Sequence, residues 1–351
     1  MIVDNAQKEM WRAFWADEPL PRPLLKAEEY KNDTWASVAD RYYKACQGQF
    51  QQLHEEFLGI FDNVIYHGEK FPVIGPELGP DAFAAFISGT NLEFSEGSKG
   101  TNWIHPVFED YDSFDFSLNE DGPVWKGCLE YTKYLADNAD GRYIVATIDL
   151  HSNIDALSAL RGPQNLCMDL LDCPEKVDMA MQKIRALYPV VYNKLYEAGN
   201  MKATGSTGWI DLYCEGKFTV IQADFICMIS PDQYDRFVHP ALEEEANFLD
   251  HSFLHLDGPG ALIHLDRILQ IEKLDGIQWV SGAGQKPMHE WIDVFKKVQK
   301  AGKKLVIYGL NTLDIIKEYM DILDPRGLVL YIGEKTQDEF DEIAGWLEKN
   351  T

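Results

Sequence analysis

The sequence predicts an α/β protein: a (β/α)8 barrel of the TIM type with an irregular, partly helical N-terminal extension. Three observations carry that expectation. From Arg142 onward, short β-branched runs alternate with amphipathic helical stretches six times, the mark of parallel strands joined by helical crossovers. The units are evenly spaced with no second cluster of strands, so a closed barrel is more economical than a doubly wound sheet. The length of 351 residues suits one large barrel domain. Residues 1–140 then form the extension and the first barrel elements, and residues 141–351 the regular units.

The first 140 residues are read as a cap on the barrel rather than an independent domain. A helix is expected from about Trp35 to Phe61, and a barrel strand near Val64 to Tyr66. A Pro/Gly-rich stretch from Phe71 to Pro80 and an acidic aromatic loop from Phe108 to Phe116 follow; the loop reads as a solvated face or, as a second reading, a docking surface for a partner. The first strong strand is Arg142 to Ile148. Pro174 then opens a long helix, since proline fits the first helical position. Val177, Ala180, Ile184, Leu187, Val191 and Leu195 recur at spacings of three and four, which puts them on one buried face. Gly199 and Asn200 end that helix, and Ala203 to Ile210 reads as a weaker strand.

Ser230, Pro231 and Gln233 make a helix start with a capping box, and the helix should run to about Asp250. Strands are expected at Ser252–Leu256, Gly276–Val280, Lys304–Tyr308 and Leu328–Ile332. The helices between and after them are expected at about Ala261–Ile271, Pro287–Ala301, Thr312–Leu323 and Thr336–Lys349.

Composition narrows the function. There are 32 Lys and Arg against 57 Asp and Glu, a formal charge of −25, with 46% hydrophobic residues. A chain this apolar folds. One this acidic lacks the basic stripe that nucleic acid requires. The absence of an apolar run of membrane-spanning length argues against a membrane protein. The N-terminus has no basic segment followed by an apolar one, and the six cysteines include no Cys-x-x-Cys pair. A cytoplasmic location is therefore expected.

In a parallel barrel the strand ends converge on one mouth, so the residues there are read together. Asp149 and His151 follow the first strong strand. Trp209, Asp211, Tyr213, Cys214 and Glu215 follow the next. His255 and Asp257, Trp279, Tyr308 and Asn311, and finally Tyr331 and Glu334 complete the set, with Asp224 ahead of the capped helix. His255 and Asp257 stand two apart on one strand, and so on one face. Imidazole and carboxylate there can meet one ion, or one can orient the other, and Gly258 and Gly260 allow a ligand close to the backbone.

Asp149, His151, Glu215 and Asp224 are further candidates for acid–base work, because polar groups at a strand end are otherwise costly to bury. Trp103, Trp209, Trp279, Tyr213 and Tyr308 are candidates to line a pocket. Cys167 and Cys227 read as core residues. His239, His264 and His289 read as surface positions or as residues behind the site. Phosphate-binding, dinucleotide-binding, nucleophile-elbow and His-Glu-x-x-His motifs are absent.

The run from Ile229 to Pro240, followed by Phe253 to Gly258, resembles the uroporphyrinogen decarboxylase superfamily. That superfamily unites the decarboxylase with corrinoid-dependent methyltransferases, all (β/α)8 barrels. The resemblance covers roughly residues 140–335. Leu254 to Gly260 and Ile277 to Gly284, with Pro72 to Pro80 and Asn102 to Pro106, are similar to a branch labelled as a trimethylamine corrinoid protein. The methyltransferase members bind zinc through His-x-Cys and a distant Cys near the last strand. Here His255 matches the His, but Asp257 stands at the Cys position and the last strand ends at Glu334 with no Cys. The resemblance thus implies at most a harder divalent-metal site, with zinc first among the ions, drawn from His255, Asp257, Cys214 and Glu334.

The expected activity is that of a corrinoid-dependent methyltransferase component. It would move a methyl group between a small methylated substrate and a corrinoid supplied by a partner protein, and a homodimer is a further possible assembly. The alternative is a cofactor-free tetrapyrrole decarboxylase, although the arginine-bearing N-terminal motif of those enzymes is missing and Arg12, Arg22 and Arg41 are isolated. A second alternative is a non-catalytic binding protein for a small molecule or corrinoid on the same scaffold.

Overall fold

The computed structural model describes residues 2–32, 37–95 and 98–351, with the side chains of Ser98 and His289 outside that description. Trp35, the expected helix start, also lies outside the described residues. The strands are β1 (Leu24–Tyr30), β2 (Val64–Gly68), β3 (Val73–Ile74), β4 (Glu93–Ser95), β5 (Ser98–Trp103), β6 (Ile144–Val145), β7 (Phe218–Gln222), β8 (His251–Asp257), β9 (Gly276–Val280), β10 (Lys304–Tyr308) and β11 (Leu328–Glu334).

Seven of them form one sheet in the order β2-β1-β11-β10-β9-β8-β7. Every pairing from β1 through to β7 is parallel, and β2 joins antiparallel at the edge. β3 and β6 pair as a second, parallel sheet, and β4 with β5 forms a hairpin. No ladder joins the two parallel sheets among the described residues, but they adjoin. The Thr147 N–H donates to Thr207 O at 2.9 Å, and the hydroxyls of Thr147 and Thr219 bond at 2.7 Å. The core is therefore a parallel sheet flanked by helices, a mixed α/β arrangement.

Two expected strands change, and the first strong strand, expected from Arg142 to Ile148, narrows to Ile144–Val145. The Ala203–Ile210 segment is not a strand: Met201–Thr204 is helical, and the following residues make one bridge, Ser206 to Cys214. The strand at this place is β7, whose five residues are all buried. Val64 to Tyr66 does lie in a strand, but it runs antiparallel to β1 as a return of the chain rather than as a barrel strand. The inner strand of that pair is β1. Its apolar alternation is broken because Lys26 and Glu28 occupy one of its faces, and this hid it.

Helix signals are more literal. Ser230 with Gln233 and Thr336 with Glu339 both form capping boxes. The long helix runs Pro174–Ala198 with Val177, Ala180, Ile184, Val191 and Leu195 buried. The helix opened by Pro231 widens into a π-turn at Tyr234–Val238 before continuing as His239–Phe248. Pro240 has no N–H to offer the carbonyl one turn back, and the widened turn accommodates that gap. The helix expected from Trp35 to Phe61 is two, Arg41–Cys46 and Phe50–Asp62, divided at Gly48, which has φ +70°. The Ala261–Ile271 helix shrinks to short 3-10 and α turns. The acidic loop is anchored rather than wholly solvated: Tyr111 and Phe116 are buried, and Tyr111 donates to Asp169 at 2.8 Å. Among the described residues, no helix is long and apolar enough to cross a membrane.

Candidate functional site

The C-terminal ends of several strands surround a cavity of ≈ 370 Å³. Aromatic side chains form much of its wall, with Tyr30, Tyr66, Trp209, Tyr308 and Tyr331 among them. Its polar lining is Glu28, Arg41, Lys70, Glu77 and Asp211.

β1 and its return strand supply Glu28 and Lys70 of that lining. Lys26 and Glu28 alternate on β1, and Lys70 follows β2. Gly68 makes that turn possible. It has φ +62°, and a Cβ there would come within 2.0 Å of the Leu25 carbonyl oxygen, so only glycine fits. The charges then alternate in a chain. Lys26 Nζ meets Asp211 Oδ1 at 2.8 Å, Lys70 Nζ meets Asp211 Oδ2 at 2.8 Å, and Lys70 Nζ meets Glu28 Oε1 at 2.8 Å. Lys26 also donates to the Asp211 backbone oxygen. The hydroxyls of Tyr30 and Tyr331 donate to the two Glu28 oxygens at 2.8 and 3.2 Å. Tyr331 lies beside Lys26 in the parallel register, and its ring face takes Lys70 at 4.8 Å and Lys26 at 5.5 Å.

Two lysines and two carboxylates cancel, which is how this much charge stays buried. Burial pulls Lys26 down to about 8, against the opposing pull of Asp211. Burial also acts on Lys70, but Asp211 and Glu28 outweigh it and hold that ammonium well above its usual value. Burial would raise Asp211; Lys26 and Lys70 overcome it and leave the carboxylate below its usual range.

A second polar flank adjoins the first through Glu77, which lines both the main cavity and a smaller one of ≈ 260 Å³ reaching Asp149 and His151. His151 Nε2 lies 3.2 Å from Asp149 Oδ2. On the other side of the ring, Nδ1 is 3.6 Å from Asp155 Oδ2 and 3.9 Å from Asp224 Oδ2. Asp155 accepts the backbone N–H groups of Asp224 and Phe225, both at 2.9 Å, which ties the start of the Asn153–Arg161 helix to the loop after β7. Burial lowers His151, but the carboxylates of Asp149 and Asp155 outweigh it and hold the imidazole well above its usual value. Burial and then the charge of Asp155 push Asp224 up to about 6.

Behind His151, Ser152 Oγ and Asn153 Nδ2 donate to the buried Glu245 carboxyl at 2.6 and 3.1 Å. Burial raises that carboxyl to about 8.

The other expected residues fall in different places. His255 is half-buried on β8 between Gln222 and Gln278 in the strand register. Its Nδ1 bonds the Gln278 side-chain oxygen. Trp209 packs edge-on against it at 5.0 Å. Asp257 is exposed at the end of β8. No hydrogen bond or ion pair joins it to His255, and neither lines the mouth cavity.

Cys214 and Glu215 lie at the other end of β8, in a hollow shared with Arg12 and His251. Arg12 pairs with Glu215 at 2.6 Å. The Cys214 thiol is pushed up to about 12 by burial. Glu334 lies opposite Glu28 in the register of β1 with β11. The four residues of the zinc expectation are therefore not gathered, and the thiol among them stays protonated. These residues do not fit a thiolate zinc centre.

Tyr213 is buried against Phe71 at 6.1 Å. Trp279 is fully buried against Trp291, and Trp103 stands on the β4–β5 hairpin, partly exposed. Of the expected pocket residues, Trp209 and Tyr308 line the mouth. His264 is buried, stacked on Tyr234 and bonded to the Ile226 carbonyl at 2.9 Å. Cys227 is exposed and Cys167 half-buried, so neither is core.

Sequence reasoning passed over Lys26, Glu28 and Lys70. The available signal was a charge inside a short apolar run, Lys26 within Leu24 to Ala27. It also passed over Asp155, one helical turn after His151.

No protein-family model matches the chain, and no curated protein matches it in sequence. Among solved structures, one described as a methyltransferase from Methanosarcina mazei matches with a TM-score of 0.57 over 98% of each chain, at 12% sequence identity. At that identity the likeness is one of fold, and the chain shares the overall architecture of that methyltransferase.

Proposed function

We propose that this chain is a methyltransferase-type enzyme whose two adjoining parallel sheets close into a (β/α)8 barrel. It binds a small methylated substrate in the mouth cavity and passes the methyl group to a corrinoid carried by a partner protein. The observation that carries the reading is the neutralised chain Lys26–Asp211–Lys70–Glu28 set in an aromatic wall. Such a site pairs apolar surface for methyl groups with rigid polar groups for one heteroatom. The cavity of ≈ 370 Å³ lies near the lower end of the range for small-molecule pockets. It suits a small metabolite and is too small for a corrin ring, so the corrinoid is assigned to the partner.

The corrinoid, when docked at the mouth, supplies the nucleophile that accepts the methyl group. The chain's own residues do the rest. Tyr308, Tyr331 and Trp209 bound the apolar side and exclude water. Lys70, held charged by Asp211 and Glu28, faces the heteroatom that loses the methyl group and stabilises the electron pair it gains. Lys26, with the most weakly held proton of the chain, sits one carboxylate further in and can restore a proton through Asp211.

The decarboxylase alternative calls for arginines at the mouth. Among the described residues Arg41 is the one arginine lining the cavity, and it is paired with Glu77 at 2.7 Å.

The test is to incubate the full chain with reduced free cobalamin and a panel of methylated amines and alcohols, following methylcobalamin by absorbance. Formation that depends on the chain and falls about 100-fold in Lys70→Arg, as expected for loss of one transition-state contact, supports the proposal. No methylcobalamin from any member of the panel overturns it.

A further inference from the structure

We propose that His151, Asp155 and Asp224, with Asp149 behind the imidazole, form a site for one divalent transition-metal ion. The donor atoms of these three residues lie within 4.8 Å of one another, one nitrogen and two carboxylate oxygens. Their spacing is that of ion pairs without a direct hydrogen bond. His151 Nδ1 stands 3.6 and 3.9 Å from the two oxygens, beyond the usual hydrogen-bond distance. It is close to the ~3.4 Å that separates two donors on one tetrahedral ion with bonds of about 2.1 Å. The gap is therefore one that an ion fills and a direct hydrogen bond does not.

The surroundings point the same way. Asp149 takes the Nε2 side of the ring at 3.2 Å, which turns Nδ1 toward the two carboxylates. A carboxylate behind a ligating imidazole is the usual support of a metal-bound histidine. Asp155 is held by two backbone N–H groups, so the Asp155–Asp224 pair is kept together despite like charge. The second Asp149 oxygen is buried with no hydrogen-bond partner, another sign of unbalanced negative potential.

Binding displaces the Nδ1 proton to solvent, and the neutral imidazole and two carboxylates then bring two negative charges, which one divalent ion neutralises. The mixed nitrogen and oxygen set suits Mn²⁺ or Zn²⁺ over the softer ions that thiolates select. Three protein ligands leave a coordination position open. The half-exposed Asp224 carboxylate opens the Nδ1 side of the ring to solvent, while the ≈ 260 Å³ cavity on the Asp149 side of His151 shares Glu77 with the main cavity. The site does not use His255 as a ligand, and its test reads binding rather than turnover, so it can fail independently of the methyl-transfer reading.

The experiment titrates chelator-treated full chain with MnCl₂, following loss of the free-ion paramagnetic resonance signal, and repeats the titration calorimetrically with ZnCl₂. One ion per chain is expected. Asp224→Asn and His151→Ala should each weaken binding by about 100-fold or more, the scale at which even supporting groups act. His255→Ala should change it less than about threefold. Asp224 is half-exposed, so its amide variant should fold, and far-ultraviolet dichroism checks that. No bound ion at roughly 1 mM, binding that survives Asp224→Asn, or binding abolished by His255→Ala would each overturn the site.

Discussion

The mouth has two flanks made from similar residues with opposite charge arithmetic. On the β1 flank, Lys26 and Lys70 alternate with Asp211 and Glu28, and each carboxylate has a cation at 2.8 Å. On the Asp149–Asp224 flank, one imidazole faces three carboxylates. The first flank is balanced and its groups stay charged in an apolar wall. The second is not, and the protein responds by raising His151 and Asp224. Buried charge is tolerated when it is paired. Unpaired, it either takes up protons or waits for a cation.

The largest test of this contrast is Lys70→Met, which leaves Glu28 and Asp211 short of a partner. Breaking a buried pair on one side costs about 3–5 kcal/mol, so chemical denaturation should show a loss of that order. A loss below about 1 kcal/mol would mean the chain behaves as a surface pair.

Glu245 sharpens the other flank. Its folded value of about 8 lies above the ordinary 4.5. Between those values the folded state keeps a proton that the unfolded chain has lost, so stability falls as pH rises from 4.5 to 8. Glu245→Gln should flatten that slope and gain up to about 4 kcal/mol at pH 8. Denaturation midpoints at pH 5 and pH 8, for both chains, measure it; parallel slopes refute it.

Tyr331→Phe removes one donor from Glu28 while keeping the ring. Its cost should be about 1 kcal/mol, read as a shift in unfolding midpoint.

Asp224→Asn is the smallest and differs in sign. In metal-free protein the carboxyl titrates near 6 rather than 3.8, so its charged form opposes folding above pH 6. Being half-exposed, the substitution should stabilise by less than about 1 kcal/mol. A clear destabilisation without metal would show that Asp224 is paired after all.

Legibility followed local chemistry. The capping boxes at Ser230 and Thr336 need only residues three apart, and both formed. The helix of residues 174–198 was read from its periodicity. β1 was missed because the same lysine and glutamate that build the site break its alternation. β7 was missed because a plausible run at 203–210 lay a few residues upstream, and only packing against β8 decides between them. His255 and Asp257 share a strand, as the sequence said, yet the mouth cavity is lined by neither. His151 and Asp149 were read together and Asp224 apart from them, but their grouping with Asp155 depends on a loop 69 residues away donating its backbone N–H groups.

By itself the sequence determined the alternation of strands and helices, the acidic surface and the helix caps, because each depends on neighbours within a few positions. The tertiary structure decided which charges meet. Lys26 finds Asp211 across 185 residues, and a carboxylate held at 2.8 Å from an ammonium behaves quite differently from one set 3.9 Å from an imidazole among its own kind. Electrostatic energy inside a protein depends on distance and burial, and neither is written along the chain.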